Sequence, residues 1–395
     1  MKKTLAAVAV LGAFAGSALA ADVQLYGIVD EGFAYGHVDL DDGKDATDSF
    51  SLNSGMQSGS RFGIKGTEDL GNGLTVGFVL ENGFTADDGA DNDTFFDRES
   101  SLFLEGAFGK VAVGRMGSIN NGTSSWAQIG VLSAFGTSSW GGYSAQIGST
   151  ASTAGLWNNM ISYQTPSFAG FKVFAQYGMG NQVTKTYQKQ VAVEEPGSGN
   201  IMVDESKTFG TENESSSNRY YAIGATYANG PLTAYFAVDS INYSSVTGLA
   251  AETGALQYGD VDDSLTVTLG GNYDFEVAKV FFGAQYFDEV ATFGDLAKKV
   301  SFASKIKGYG LNLSAAIPMM GGKMMAGLGY VDAEDVDNSN NELQRYVVSV
   351  GYDYAFSKRT DVYAAANYMQ DSIDKGADSM DPYAFTVGVG LRHKF

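Results

Sequence analysis

The chain has 395 residues, among them 51 Gly, 22 Tyr, 25 Phe, 5 Pro and no Cys, with a net charge of −20. The absence of Cys excludes a disulfide scaffold, thiolate zinc sites and a cysteine nucleophile, and two His leave little for a metal or triad site. The acidic balance argues against a nucleic-acid partner, which needs a basic face to meet phosphates.

In chain order the first element is a leader. Lys2 and Lys3 precede an apolar run from Leu5 to about Ala15, and Ala18-Leu19-Ala20 offers small residues for cleavage. Residues 1–20 are therefore expected to be a secretory signal peptide, removed to leave 21–395 as one domain outside the cytoplasm. No later run of 18 apolar residues exists, so no transmembrane helix is expected.

From there the sequence alternates with period two. The second strand places Arg61, Gly63, Lys65 and Thr67 on one face and Phe62, Ile64 and Gly66 on the other. Further on, Tyr346, Val348, Val350, Tyr352 and Tyr354 oppose Arg345, Val347, Ser349, Gly351 and Asp353. In the last segment Tyr383, Phe385, Val387, Val389, Leu391, His393 and Phe395 oppose Ala384, Thr386, Gly388, Gly390, Arg392 and Lys394. Such strands have one apolar and one wet face, and they are long enough to cross a bilayer with tilt. Aromatics gather near segment ends, as at Tyr163, Phe168, Phe171, Tyr352 and Tyr354, where interfacial girdles need them.

Connections alternate short and long. The short ones fall at Glu68–Gly73, Ala107–Gly109, Pro166–Gly170, Ala228–Pro231, Asp274–Val277, Pro318–Gly322 and Ala355–Lys358. The long ones centre on 39–55, 87–94, 118–157, 181–217, 246–262, 288–298, 332–342 and 371–381. Seven and eight connections join sixteen strands, an even number that returns both ends to one side. The expected fold is all-β: a closed, sixteen-stranded antiparallel transmembrane barrel that pairs every backbone group without water.

Six stretches in order resemble one family. They are Val23-Gln24-Leu25-Tyr26-Gly27-Ile28-Val29-Asp30, the run from Ser60 to Gly71, Gly109-Lys110-Val111-Ala112-Val113-Gly114-Arg115, the run from Tyr163 to Phe171, the run from Tyr352 to Thr360, and Gly390-Leu391-Arg392-His393-Lys394-Phe395. Together they are similar to the trimeric general-diffusion porins of Gram-negative bacteria, especially the β-proteobacterial kind. The resemblance implies an outer-membrane, water-filled channel for small hydrophilic solutes and ions. It also implies a homotrimer in lipid and lipopolysaccharide, no cofactor, and a third long loop folded into the lumen. The terminal Phe395 is implied as the assembly signal read by the outer-membrane insertion machinery.

That third loop, roughly Ser118 to Trp157, contains no Asp, Glu, Lys, Arg or His, but holds Trp126, Trp140 and Trp157. Acidic residues usual for the family on this loop are missing, which weakens any transverse field. A basic wall is expected opposite. Arg61 and Lys65 point to the lumen by parity, since an Arg in the lipid at mid-depth costs about 2–4 kcal/mol. Arg98 matches a lumen arginine of the family, and Arg115 is a further candidate whose strand parity is ambiguous. Each could instead pair with a carboxylate such as Glu81 or Asp30. Acidic residues crowd the outer loops, from Asp39, Asp41, Asp42, Asp45 and Asp48 to Asp332, Asp335, Asp371 and Asp374. A bare charge about 8 Å from an ion contributes roughly 2 kcal/mol at an effective dielectric of 20. The mouth lies about two screening lengths away. The wall therefore sets an expected preference for anions. Two other functions fit the same barrel: a sugar-type channel using Trp126 and Trp140 as an aromatic track, or an adhesin binding through its loops. An enzyme is not expected, because neither His37 nor His393 lies in a catalytic motif.

Overall fold

A computed structural model describes residues 21–91, 94–140, 155–181, 185–195, 199–209, 217–249, 256–259, 261–292 and 296–395. The expected leader, 1–20, lies outside the described residues.

Sixteen barrel strands form a closed antiparallel sheet among the described residues. β1 is Ala21–Asp39, and β2 comes in two pieces, Thr47–Ser54 and Arg61–Gly71. Then follow β3 (Leu74–Gly83), β4 (Glu99–Gly106), β5 (Gly109–Gly117), β6 (Leu156–Gln164), β7 (Phe171–Asn181) and β8 (Asn218–Asn229). The second half is β9 (Leu232–Asn242), β10 (Ser264–Asp274), β11 (Lys279–Ala291), β12 (Lys305–Met319), β13 (Gly322–Asp335), β14 (Asn341–Ala355), β15 (Thr360–Lys375) and β16 (Tyr383–Lys394). Each pairs with its neighbours in sequence. The ring closes where Ile28–Asp39 of β1 lies against β16, in register from Ile28↔Lys394 to Asp39↔Tyr383. At the seam Gly27 and Phe395 exchange two backbone hydrogen bonds of 3.1 Å. The Phe395 ring lies over Gly27, where a Cβ would come within 2.3 Å of Cζ.

The alternation predicts the faces. Across β12, β13 and β14 the row Leu313, Leu328 and Val348 is 54, 57 and 46 % exposed, while Asn312 and Val347 turn inward and are buried. Aromatic rings form two belts on the outer surface. Tyr309, Tyr330 and Tyr346 pack in series near one edge, and Tyr354 with Phe356 or Phe171 with Tyr227 near the other. At ~3.3 Å per residue and ~40° tilt, the step from Tyr346 to Tyr354 spans ~20 Å of depth, close to an apolar band of ~25 Å. Leu328→Arg should therefore lower stability by about 2–4 kcal/mol. Urea titration of the folded protein in lipid vesicles measures this, and an unchanged midpoint would show that this face does not meet lipid.

Strands run farther into several expected loops than the composition suggests. Thr47–Ser54 is strand, not loop, and Lys185–Glu195 pairs with Gly199–Phe209 as a two-stranded sheet separate from the barrel sheet. Asp371 is no loop residue: it is fully buried within β15, where both carboxylate oxygens accept hydrogen bonds from Arg345, at 2.6 and 2.7 Å. Asp332 and Asp335 likewise belong to β13.

β2 is interrupted by an inward excursion, 55–60. Asp30, fully buried on the inner face of β1, accepts from the backbone N–H groups of Gln57 (2.9 Å) and Ser58 (2.6 Å) and from the Tyr363 hydroxyl (2.6 Å). A buried carboxylate is stable only when its lone pairs are met in this way. Asp30 thus pins the excursion inside the barrel.

Candidate functional site: the constriction

The third long loop enters the lumen after β5, and inward-facing side chains fasten it around the barrel. Gln176 of β7 accepts from the Ile119 N–H at 2.8 Å, and the Tyr235 hydroxyl of β9 donates to Asn120 at 2.8 Å. Asn272 of β10 donates to the Val131 carbonyl at 2.9 Å, and Asn312 of β12 donates to the Leu132 carbonyl at 2.8 Å. Ser139 donates twice to the Met56 carbonyl in the excursion of β2, at 2.8 Å from Oγ and 3.2 Å from its N–H. Residues 141–154 of the loop lie outside the described residues.

Trp126 and Trp140 are buried to 3 and 2 % exposure. They anchor the loop and do not line a track for solutes. Trp126 joins an apolar cluster with Phe103, Met116, Ile119 and Met160. Trp140 meets Tyr363 edge-on at 6.3 Å and sits over Gly388, where a Cβ would fall 2.3 Å from its Cη2. Trp157 belongs to β6 and stacks on Tyr220 at 5.1 Å. Removing a buried Trp side chain costs about 3–5 kcal/mol of local packing. Trp140→Ala should therefore free this end of the loop and raise single-channel conductance. Gly388→Val should act alike from the opposite surface, and conductance unchanged in both variants would count against the anchor.

The basic wall stands opposite the charge-free loop. Arg61 and Arg98 share one carboxylate: Nε of Arg98 lies 2.6 Å from Glu81 Oε1, and Nε of Arg61 lies 3.5 Å from Oε2. Tyr26 donates its hydroxyl to Oε2 at 3.0 Å. Arg98 also donates to the Thr123 carbonyl at 3.2 Å, tying the wall to the loop. A recess of about 370 Å³ lies between Arg61, Arg98 and the β2 excursion on one side and Asn120, Thr123 and Thr137 on the other. Below it Lys65 and Lys110 line a second recess of about 350 Å³. Among the described residues neither lysine has a carboxylate within 4 Å. Lys65 sits 5.1 Å from the Tyr26 ring centre, and Lys110 sits 4.0 Å from that of Phe103 and 5.3 Å from that of Trp126.

Of the residues expected here, the structure brings together Arg61, Lys65 and Arg98. Arg115 stands apart. It shares parity with Val113, which is 46 % exposed on the outer surface, whereas Lys110, Ala112 and Met116 turn inward. Its guanidinium donates to the Asp97 carbonyl and to Asn158, both at 2.6 Å. Lys110 is the inward cation of that strand, and alternate placement with the buried Ala112 was its signal. The β2 excursion left no comparable signal, because its Gly and Ser residues read as an ordinary turn.

A Gram-negative porin family model matches residues 6–374. This chain belongs to the Gram-negative porin family. Over full length on both sides this porin is 32 % identical to an outer membrane porin protein of Bordetella pertussis and 30 % identical to outer membrane porin protein 32 of Delftia acidovorans. Among solved structures, an anion-selective porin from Comamonas acidovorans superposes with a TM-score of 0.64 at 26 % identity, covering 95 % of this chain and 100 % of that one. The porin is a bacterial outer-membrane protein and forms a channel for passive diffusion of small hydrophilic solutes and ions.

Proposed function

We propose that this porin prefers anions, and that Arg61, Arg98, Lys65 and Lys110 are the wall that sets the preference. One observation carries the reading: two guanidiniums share a single carboxylate, Glu81, while the loop across from them holds no charge at all. An ion in the narrows meets this surplus within several ångströms, whereas the acidic loops act over screened distances of more than ~8 Å. The anion-selective relative from Comamonas acidovorans favours the same sign. The protein works as a channel and not as a catalyst, assembles as a homotrimer in lipid and lipopolysaccharide, loses residues 1–20, and presents Phe395 to the insertion machinery. One solved relative, OmpT of Vibrio cholerae, is described in a trimer form.

The test is the zero-current potential of the purified protein in a planar bilayer under a tenfold KCl gradient. A sign reporting chloride as the faster ion is expected, and a potassium-selective sign would refute the assignment.

A further inference from the structure

The connection between β11 and β12 was expected to be an ordinary outer loop, yet its described residues turn back into the barrel. Its base is closed where the Thr292 N–H donates to the Ser304 carbonyl at 3.2 Å. Leu296–Lys299 then makes one helical turn, and the Phe302 N–H returns to the Ala297 carbonyl at 2.9 Å. Leu296, Ala297 and Phe302 are buried to 2, 0 and 2 % exposure. Their neighbours lie on the lumen face. Ala297 and Phe302 join Val331, Leu343 and Ile373, and Leu296 joins Val347 and Met369. An apolar lumen wall bordering water would be unfavourable; here the loop covers it.

The position is distinct from the constriction below. On β14, Gly351 faces Phe135 of the third loop, while Val347, four residues nearer the outer end, faces this one. That is a step of ~13 Å along the strand. Lys298 and Lys299 are exposed on the side away from the wall, and among the described residues neither has a carboxylate within 4 Å.

We propose that this inturned loop is a second, outer narrowing of the pore, in which Lys298 and Lys299 enrich anions before they reach the inner constriction. The proposal rests on the channel function. A lysine here acts from within the water-filled passage, inside the ring of acidic outer loops, and so offsets their repulsion of anions.

Because the chain has no Cys, Lys298→Cys and Lys299→Cys each introduce a single thiol. In a planar bilayer, labelling with an anionic sulfonate-bearing thiosulfonate should lower the chloride-to-potassium permeability ratio about twofold or more in 0.1 M salt. A trimethylammonium-bearing reagent should return it to the wild-type ratio. Phe302→Ser and Leu296→Ser should each raise conductance at molar salt, where charge effects are screened. If both adducts, verified by mass, leave the zero-current potential unmoved, the selectivity role is refuted. If both serine variants, migrating as folded barrels, conduct as wild type, the narrowing is refuted. Absence of any conductance in the wild-type protein would instead bring down the channel function on which the proposal stands.

Discussion

Lys65→Glu combined with Lys110→Glu is expected to reverse the sign of the zero-current potential while leaving an open channel. Among the described residues these two ammonium groups are the wall cations without a carboxylate within 4 Å, so neither is tied in an ion pair, although Glu99 and Glu105 act on Lys110 from farther off. Each contributes roughly 2 kcal/mol to an ion ~8 Å away at an effective dielectric of 20, and screening over about one Debye length reduces this below ~1 kcal/mol. Reversing both charges moves anion and cation in opposite directions, so the permeability ratio should change by well over about tenfold. Arg61→Ala should lower the chloride preference without reversing it, because it removes one charge of the wall and leaves Lys65 and Lys110 in place. The tenfold KCl gradient that tests the wild-type protein reads both. A double variant that still favours chloride would remove the wall from the mechanism.

The largest stability loss should follow from splitting Arg345 and Asp371. Their side chains are 1 and 0 % exposed, and the Nε of Arg345 lies 2.6 Å from the Asp371 carboxylate, on the inner faces of β14 and β15. Removing one partner strands a buried charge, which costs about 3–5 kcal/mol. Arg345→Ala or Asp371→Ala should therefore lower the urea midpoint of the detergent-solubilised protein sharply. Arg345→Met with Asp371→Leu should recover most of the loss, since a well-packed apolar pair is often no less stable than a buried ion pair. Equal damage from the double and single variants would mean that the charges have a role beyond this pairing.

The barrel was legible because each spanning strand repeats one physical demand, apolar to lipid and polar to water. Tyr346, Val348 and Val350 on β14 and Val387, Val389 and Leu391 on β16 follow it, and the same parity places Arg61 and Lys65 inside. It failed where local pattern has two meanings. Asp371 reads as loop acid because acidic loop tips and inner-face carboxylates near a strand end look alike in sequence. Nothing in the sequence marks Gln176, Asn272 and Asn312, and only the fold shows that they hold the third loop. Arg115 sits beside a register shift between Gly114 and Met116, and in sequence Val111, Val113 and Arg115 together do not say which face is wet. One missed signal was present: Leu343, Val347 and Ile373 are apolar on faces that should be wet, a mark that something covers them.

The third loop is fastened to β7, β9, β10 and β12 on one arc and to Met56 and Tyr363 on another, so it spans the hoop like a chord. The gauge of the hole then depends on the roundness of the whole cylinder: squeezing the hoop out of true would shift both anchorages of the chord and change the aperture with no residue of the wall altered.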